Sequence, residues 1–382
     1  MIRTLQGAVA RTPALGWFSV AVGCWLVIGL TTTFQHVTPG LGAFTREFAA
    51  WPFLDGWIRW DARWYEMIVR EGYAFLPGQQ SSVAFFPLYP LAVRLVSQLG
   101  APTFIAGMIV TCCSGLIGVI AFSRWARERE RSNGMTEGTS QLATWLLLLW
   151  PYAFFIYGAV YSDALFFALV VAAFLALEND RLVAATLLGA LATAGRPIAP
   201  AVVLGLLVRQ CERRLLRGER LRPVDFLPAL SVLGLVAWMA YQYRAFGTPF
   251  AFVEVQKGWN QEPGLRTWLK LDFLGELHEP HIYGYVVPHA VLSLLFTGLA
   301  FLAARRLGWG YGVYSLLAIG MPLASSSGFI GLGRYALAAF PCFFVLAGLL
   351  RTRSTAARVW LWASAATMFL MASKFAAGRY VS

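Results

Sequence analysis

The sequence predicts an all-α protein that crosses a membrane many times. Of its 382 residues 58% are hydrophobic and only 13% are charged, and the chain contains 15 Trp and 28 Phe. This composition excludes an ordinary soluble domain, in which about 25% of residues are charged. A helix needs roughly 20 apolar residues to cross a bilayer, and hydropathy predicts about eleven helices of spanning or near-spanning length. They are placed at residues 15–32, 103–123, 141–157, 163–178, 182–195, 198–210, 225–243, 286–304, 309–324, 330–350 and 357–374.

The distribution of basic residues predicts which loops face the cytoplasm. Cytoplasmic loops are enriched in Lys and Arg, and if the chain starts inside, most of the 31 basic residues fall on inside segments. The net charge of +12 is then explained by topology and by contact with lipid headgroups. No nucleic-acid partner is expected, because the basic runs lie beside spans and no soluble domain presents them.

The first apolar segment is interpreted as an uncleaved span, because no small-residue cleavage pattern follows it. The whole chain, residues 1–382, is predicted to form a single transmembrane domain with two long outer loops, at 33–85 and 244–286. No disulfide framework is expected, since all five cysteines map to spans or to the cytoplasmic side. They are Cys24, Cys112, Cys113, Cys211 and Cys342.

The first outer loop contains the stretch Trp60-Asp61-Ala62-Arg63-Trp64-Tyr65. Residues 51–73 have the pattern of an amphipathic helix lying in the membrane interface. Asp61 falls within its apolar face, where a carboxylate needs a partner, a cavity or a raised pKa. The alternative is that Asp61 caps a helix that starts at Ala62. The opposite face is a polar stripe of Asp55, Arg59, Arg63, Glu66 and Arg70.

Further polar residues lie at the outer ends of other predicted spans. Asp163, which follows Tyr161 and Ser162, either caps a helix or faces the same cavity as Asp61. Arg196 precedes Pro197 in an apolar run, where a cation costs roughly 2.5 to 3.5 kcal/mol unless it meets a partner or water. The alternative for Arg196 is a side chain that reaches the outer headgroups. Arg334 places another cation at the outer mouth.

Two segments are predicted to close the outer side. Phe85-Phe86-Pro87-Leu88-Tyr89-Pro90 has two prolines that prevent a regular helix at that point, so residues 85–99 are interpreted as juxtamembrane or re-entrant. The loop 244–286 mixes charges, aromatic residues and turn residues, which favours a lid over a span. Gln256 in this lid is a candidate substrate-binding residue.

No cofactor is expected, and a divalent metal is not indicated. His278 and His281, with Glu276 and Glu279, lack a standard ligand spacing. The segment Gly331-Leu332-Gly333-Arg334 lacks the lysine and the spacing of a nucleotide-binding loop. The polar groups suit a different chemistry, in which an acceptor hydroxyl attacks a sugar carbon that bears a phosphate leaving group. A lipid-phosphate donor explains both the membrane depth of these groups and the missing nucleotide motif.

Several motifs occur in an order that resembles a known family. They are the stretch 60–65 with Glu71-Gly72-Tyr73, the segment 85–90, Tyr161-Ser162-Asp163-Ala164, Gly195-Arg196-Pro197, Gly247-Thr248-Pro249 and Arg334-Tyr335. Together they resemble the bacterial relatives of the PIG-V mannosyltransferases, in the GT-C superfamily of polyprenol-phosphate-sugar-dependent glycosyltransferases. The resemblance implies a GT-C-like helix bundle, Asp61 as the catalytic base, and inversion from a β-linked donor to an α-linked product. Trp64-Tyr65 stands where the eukaryotic pattern has His-Phe, which argues against a glycolipid-anchor acceptor and favours a bacterial source.

The expected function is therefore transfer of a sugar, mannose, on the non-cytoplasmic face of a bacterial plasma (inner) membrane. The expected partners are a polyprenyl-phosphate-sugar donor, a glycolipid or glycan acceptor, and membrane lipids. Asp61 is the expected base, Arg334 and Arg196 bind the donor phosphate, and the other substrate-binding residues are Trp60, Arg63, Trp64, Tyr65, Tyr161, Asp163 and Gln256. One alternative is a transporter or flippase for a lipid-linked sugar, which predicts access from both faces and paired broken helices. Another is a non-catalytic subunit, in which Asp61 is dispensable.

Overall fold

The computed structural model describes residues 12–34, 47–48, 50–259, 261, 264–279, 283, 286–329 and 331–381. Within these residues every regular element is a helix, which confirms the all-α prediction. The first six α-helices are α1 (Pro13–Phe34), α2 (Pro52–Asp55), α3 (Asp61–Glu71), α4 (Leu88–Ser97), α5 (Thr103–Ser132) and α6 (Thr139–Leu148). The next six are α7 (Asp163–Glu178), α8 (Leu182–Thr193), α9 (Ala199–Leu216), α10 (Leu233–Phe246), α11 (Ala251–Glu254) and α12 (Leu265–Trp268). The last six are α13 (Leu271–Gly275), α14 (Val286–Leu307), α15 (Trp309–Ser325), α16 (Leu332–Tyr335), α17 (Phe340–Leu350) and α18 (Ser354–Ala376). Short 3₁₀ helices lie at Ser82–Ala84, Ala153–Ile156, Pro223–Val232 and Val255–Trp259.

The multi-pass membrane architecture is confirmed. Among the described residues, five helices are long and apolar enough to cross a membrane. They are α1, α5, α14, α18 and the continuous helical run Pro223–Phe246, and α4, α8 and α17 are shorter apolar helices. Each of the eleven predicted apolar segments contains one of the longer helices.

Prolines account for the two predicted spans that are clearly shorter in the structure. The segment predicted at 141–157 is helical only to Leu148, because Pro151 follows and disfavours helical conformation in the residue before it. The segment predicted at 330–350 is divided between α16 and α17, and α17 has Pro341 in its first turn, where the missing N–H costs nothing.

The chain divides into two compact units. Unit 1 comprises Met1–Glu66, Ala92–Val171 and Phe343–Val381, and unit 2 comprises Met67–Leu91 and Ala172–Cys342 with residue 382. In unit 1, α1 packs on α18, and the Thr31 hydroxyl donates to the Ser373 hydroxyl at 3.0 Å. In unit 2, α9 packs on α15, where Gly205 leaves the space that the Tyr314 side chain occupies. The single transmembrane domain predicted for residues 1–382 stays a prediction.

The amphipathic segment of the first outer loop differs from the single helix that the pattern predicts. It consists of α2 and α3, separated by five non-helical residues, 56–60. Asp55 and Arg59, which the pattern placed on a polar stripe, are buried, with 4% and 3% of their surface exposed. Both bond to the backbone: Oδ1 of Asp55 accepts from the N–H groups of Glu47 and Phe48, both at 3.1 Å, and Arg59 donates to backbone carbonyls.

The two segments predicted to close the outer side are helical only in short pieces. Helix α4 begins at Leu88, directly after Pro87, and Pro90 lies in its first turn, where proline is tolerated. The loop 244–286 holds α11, α12, α13 and a 3₁₀ helix, none longer than five residues. Its described part therefore contains no spanning helix, as expected for a lid.

Candidate functional site

Asp61 is the first residue of α3 and is half-buried. Its backbone N–H donates to the Tyr161 hydroxyl at 3.3 Å, and Tyr161 is only 1% exposed. The helix thus begins one residue earlier than the capping alternative assumed. Its first turn is a position where the helix dipole favours a carboxylate.

Trp60, which precedes Asp61, has a backbone φ of 51°. A bulky residue in this left-handed region is an outlier, and such conformations cost of order 1–3 kcal/mol and are concentrated at functional sites. The Trp60 ring packs edge-to-face on Tyr380, with centroids 5.1 Å apart. Its indole Nε1 is buried and has no hydrogen-bond partner among the described residues. The turn before the Asp61 helix therefore carries both backbone strain and an unused donor.

The segment 157–163 lies directly against this turn. The Val160 N–H approaches the Trp57 carbonyl at 3.5 Å, and a β-carbon at Gly158 would meet the Trp57 ring at 3.0 Å. The Thr111 hydroxyl of α5 fixes the segment by donating to the Ala159 carbonyl at 2.8 Å. Asp163, 3% exposed, follows as the first residue of α7. The structure thus places the segment that carries Tyr161 and Asp163 beside the turn that carries Asp61.

The remaining predicted residues of this stretch differ in their contacts and in their exposure. Arg63 forms an ion pair with Glu47 at 2.6 Å and lies over the Phe104 ring at 5.1 Å. Tyr65 is buried at 5% exposure, whereas Trp64 is half-buried. The contacts of Arg63 and the burial of Tyr65 indicate that these side chains hold α3 in place. Trp64 retains accessible surface.

Arg196 and Arg334 meet at one aromatic ring in unit 2. Their guanidinium carbons lie 5.0 Å and 5.3 Å from the Tyr335 ring centroid. Both arginines are buried, at 8% and 7% exposure. The residues come from two motifs far apart in the sequence, and cation–π contact with a shared ring is favourable for each. Two cations at one ring form a positively charged cluster, and such a cluster is suited to binding an anion.

Two further contacts hold the arginine pair in place. The Leu88 N–H donates to the Ala194 carbonyl at 3.1 Å, which joins the start of α4 to the turn before Arg196. The Gly333 N–H donates to Nδ1 of His289 at 3.2 Å, and His289 is 1% exposed. Since Nδ1 accepts, the neutral imidazole carries its proton on Nε2. The sequence analysis did not select His289, although a histidine within the apolar segment 286–304 was a signal.

Gln256 also belongs to unit 2. Its side-chain amide donates to the Phe252 carbonyl one turn earlier at 3.0 Å. It belongs to the lid, where Gly258 fits closely against the backbone of Gln79 and Gln80. The substrate-binding role of Gln256 stays a prediction.

The histidines of the lid show no metal cluster in the part of the chain that the structure describes. His278 Nε2 lies 3.1 Å from a carboxylate oxygen of Glu279, and both side chains are largely exposed. His281 lies outside the described residues. That no divalent metal is indicated therefore stays a prediction from the sequence.

The fold is that of a multi-pass helical membrane protein. One unit has Asp61 at the start of a helix, and the other has the buried pair Arg196 and Arg334. The family model described as Mannosyltransferase (PIG-V) matches residues 43–246, more than half of the chain. The protein belongs to this family, and the predicted resemblance to PIG-V proteins is confirmed.

Solved structures give a likeness in fold. The structure of ArnT from Cupriavidus metallidurans bound to undecaprenyl phosphate aligns with a TM-score of 0.51 and 14% identity, over 88% of this chain and 60% of that one. The oligosaccharyltransferase of Archaeoglobus fulgidus in its apo form aligns with a TM-score of 0.49 and 13% identity, over 96% of this chain and 56% of that one. The chain thus spans less than two thirds of the length of these structures. A comparison with curated proteins gives no match.

Proposed function

We propose that the protein is a membrane glycosyltransferase that moves mannose from a polyprenyl-phosphate donor to an acceptor hydroxyl, with inversion at the sugar carbon. The observation that carries the proposal is the pair of buried arginines around Tyr335. Membership of the Mannosyltransferase (PIG-V) family supports the sugar, and the undecaprenyl phosphate bound by the similarly folded ArnT supports the lipid class of the donor.

In the proposed reaction Asp61 is the general base. Its carboxylate takes the proton of the acceptor hydroxyl as the hydroxyl oxygen attacks the anomeric carbon of the sugar. The bond between that carbon and the phosphate oxygen breaks, and polyprenyl phosphate leaves with the bonding electrons. Attack from the side opposite the leaving group produces inversion, so that a β-linked donor gives an α-linked product.

The arginines stabilise the leaving group in this scheme. Negative charge grows on the phosphate as its bond to the sugar breaks, and fixed cations in a buried setting stabilise that charge strongly. Arginine suits the role because its planar guanidinium presents several donors to phosphate oxygens and keeps its charge when buried. A phosphate group is attracted to both cations.

The sugar is assigned to the residues around the start of α3. Here the buried Nε1–H of Trp60 has no hydrogen-bond partner among the described residues, and the half-buried Trp64 has a flat apolar ring of the kind that packs on a sugar. Asp163 is assigned the orientation of substrate hydroxyls. The acceptor is proposed to be a lipid-linked or glycan hydroxyl on the non-cytoplasmic face.

The test is sugar transfer by purified protein in nanodiscs, with polyprenyl-phosphate-mannose as donor and a lipid extract as acceptor. Asp61→Asn should abolish transfer while donor binding and thermal stability persist. Glu66→Gln is the matched control, since it neutralises another carboxylate of the same helix. Near-normal transfer by Asp61→Asn would exclude the base role. Donor binding without transfer, together with movement of the donor across a bilayer, would favour a transporter or flippase.

A further inference from the structure

We propose that the end of α18 and Tyr380 position the catalytic carboxylate, through contacts with Arg59, Trp60 and Tyr161. Arg59 and Tyr380 are positioning residues in this view, because they act on Asp61 through its neighbours in the chain. The inference rests on the proposed function insofar as it takes Asp61 to be the base.

The first contact is between Arg59 and the last turn of α18. Nε and one terminal nitrogen of Arg59 both donate to the Ala376 carbonyl, at 3.0 Å and 2.5 Å. The other terminal nitrogen donates to the carbonyls of Ile58, at 2.8 Å, and Asp55. A single guanidinium thus joins the turn between α2 and α3 to a helix that lies 317 positions further along the chain.

The chemistry of a helix end explains why a cation is used here. The last four carbonyls of a helix have no partner within the helix and carry partial negative charge. Ala376 is the final residue of α18, so its carbonyl is one of these four. Arg59 satisfies the carbonyl and complements the helix dipole at the same time. Burial lowers the pKa of Arg59 to about 9, which is still high enough for the guanidinium to be charged at neutral pH.

The second contact is aromatic and bears on Trp60 itself. The Tyr380 ring meets the Trp60 ring edge-to-face at 5.1 Å, at an interplanar angle of 83°. Trp60 is the residue with φ of 51°, and the next residue in the chain is Asp61. In this proposal the contact with Tyr380 holds the Trp60 side chain and thereby keeps the Trp60 backbone in its unusual conformation. That conformation sets the direction in which α3 begins and in which its first carboxylate, Asp61, projects.

The third contact reaches Asp61 through Tyr161. Phe375, the penultimate residue of α18, lies 6.0 Å from the Tyr161 ring and 5.4 Å from the Phe155 ring. The Tyr161 hydroxyl in turn accepts from the Asp61 backbone N–H. Residues 375–380 therefore contact Arg59, Trp60 and Tyr161. Arg59 and Trp60 directly precede Asp61 in the chain, and Tyr161 accepts from its N–H. All of these residues belong to unit 1.

A purely structural role of these contacts predicts loss of stability, and a positioning role predicts loss of turnover. The variants are Tyr380→Ala, which removes the ring, and Tyr380→Phe, which keeps it. Arg59→Lys keeps the charge but not the forked geometry. Trp362→Ala is the matched control, because Trp362 is a highly exposed aromatic residue of α18. Each protein is measured for kcat, for the donor KM, for thermal stability, and for amide exchange of residues 57–66.

We expect Tyr380→Ala to lower kcat about 10- to 100-fold with the donor KM changed less than about twofold, the size of loss that a small misplacement of a reacting group produces. Amide exchange at residues 57–66 should become faster, Tyr380→Phe should restore turnover, and Arg59→Lys should fall between. Trp362→Ala should match the wild type in every measurement. Unchanged turnover and exchange in Tyr380→Ala, or a lowered melting temperature with kcat retained, would overturn the proposal.

The exchange measurement separates this inference from the proposed function. If the wild type transfers no sugar, the proposed function fails, and faster exchange at residues 57–66 in Tyr380→Ala still supports the anchoring of the turn. If the wild type is active, Asp61→Asn is inactive and the Tyr380 variants behave as wild type, the positioning inference alone fails.

Discussion

Arg196 and Arg334 both contact the Tyr335 ring, and this contact restricts the orientation of each guanidinium. A guanidinium beside a ring keeps its orientation, because cation–π contact and stacking restrict its rotation. Each arginine is therefore held in a defined place beside the Tyr335 ring. Lysine at either position retains the charge but not the planar shape.

Our first prediction concerns this pair. Arg334→Lys and Arg196→Lys should each raise the donor KM about 10- to 100-fold, since a hydrogen bond to a charged group contributes about 1.5–3 kcal/mol and 1.4 kcal/mol corresponds to a factor of ten. The double variant should lose less than the sum of the two free energies if both arginines bind the same phosphate. Arg94→Lys, an exposed arginine of α4, is the control. Steady-state kinetics at varied donor concentration provide the measurement, and full additivity would contradict a shared phosphate.

Single residues also show where the sequence was insufficient. Helical periodicity placed Asp55 and Arg59 opposite the apolar face, which is correct only if the helix continues through residue 60. The helix instead ends at Asp55 and five non-helical residues follow, the last of which, Trp60, has a left-handed conformation for which tryptophan has no intrinsic preference. No local sequence pattern predicts this conformation, and the ring that Trp60 packs against, Tyr380, is distant in the sequence. Tyr161 and Arg196 were selected from motifs, but their contacts to Asp61 and Tyr335 required the fold.

At the scale of elements, α7, α9 and α15 are joined by a buried ionic cluster in unit 2. Glu178 accepts from Arg209 at 2.6 Å and from the Tyr311 hydroxyl at 2.7 Å. Arg209 also reaches Glu212 at 2.8 Å, and Arg213 donates to Asp180 at 2.7 Å. The carboxylate of Glu178 and the guanidinium groups of Arg209 and Arg213 are at most 7% exposed. The sequence analysis attributed the positive charge of the chain to topology and to contact with lipid headgroups, whereas Arg209 and Arg213 form buried ion pairs.

A second prediction follows from the burial of this cluster. Glu178→Gln leaves two buried cations without their shared carboxylate, and loss of one partner of a buried ion pair costs about 3–5 kcal/mol. Thermal unfolding in detergent should therefore shift to clearly lower temperature. Glu128→Gln is the comparison, because Glu128 pairs with Arg124 at 3.1 Å on the surface, where a pair one turn apart contributes about 0.3–0.5 kcal/mol. Equal effects of the two substitutions would show that the cluster contributes no special stability.

The lid is held by a second element contact, between α13 and the end of α15. Lys270 donates to the carbonyls of Leu323 and Ser326 and lies 5.5 Å from the Phe329 ring. Phe273 packs edge-to-face on the same ring at 4.9 Å. A cation at the C-terminal end of a helix is favourable, but burial removes the ammonium from water. Burial lowers the pKa of Lys270 to about 8.

The third prediction is a pH dependence of this attachment. The attached loop holds the Lys270 proton less tightly than the detached loop, in which the pKa is near its ordinary value of 10.5. Between pH 8 and about 10 the attached side chain loses its proton first, so attachment should strengthen as pH rises and be weakest below pH 8. Amide exchange of residues 264–279, corrected for intrinsic rates, measures this. Lys270→Met should abolish the pH dependence and Lys257→Met, on an exposed lid lysine, should preserve it.

For the whole molecule, much of the architecture could be predicted because bilayer thickness dictates it. All eleven apolar segments contain helices, and the family resemblance read from short motifs is confirmed. Helix lengths were predicted less well, since prolines divide apolar runs that hydropathy averages over. The division into two units was not visible in the sequence, because it depends on which helices pack together rather than on a change in composition.

The fourth prediction concerns the orientation of the whole chain. The distribution of arginine predicts that residue 79 faces outward and residue 132 faces the cytoplasm. A membrane-impermeant thiol reagent should label Gln79→Cys in intact cells and Ser132→Cys only after permeabilisation. The unmodified chain controls for labelling of its five native cysteines. The opposite pattern would move the proposed site to the cytoplasmic face.

The bond between Arg59 and Ala376 also has a consequence for biosynthesis. The two residues are 317 positions apart, and a ribosome that adds about 5–20 residues per second needs roughly 16–60 s to make the intervening chain. Throughout that time the turn before Asp61 has left the ribosome while its carbonyl acceptor does not yet exist. During that interval Arg59 lacks this acceptor, and the hydrogen bonds can form only after α18 has been synthesised. The contact that holds the turn before Asp61 therefore forms well after the turn itself has been made.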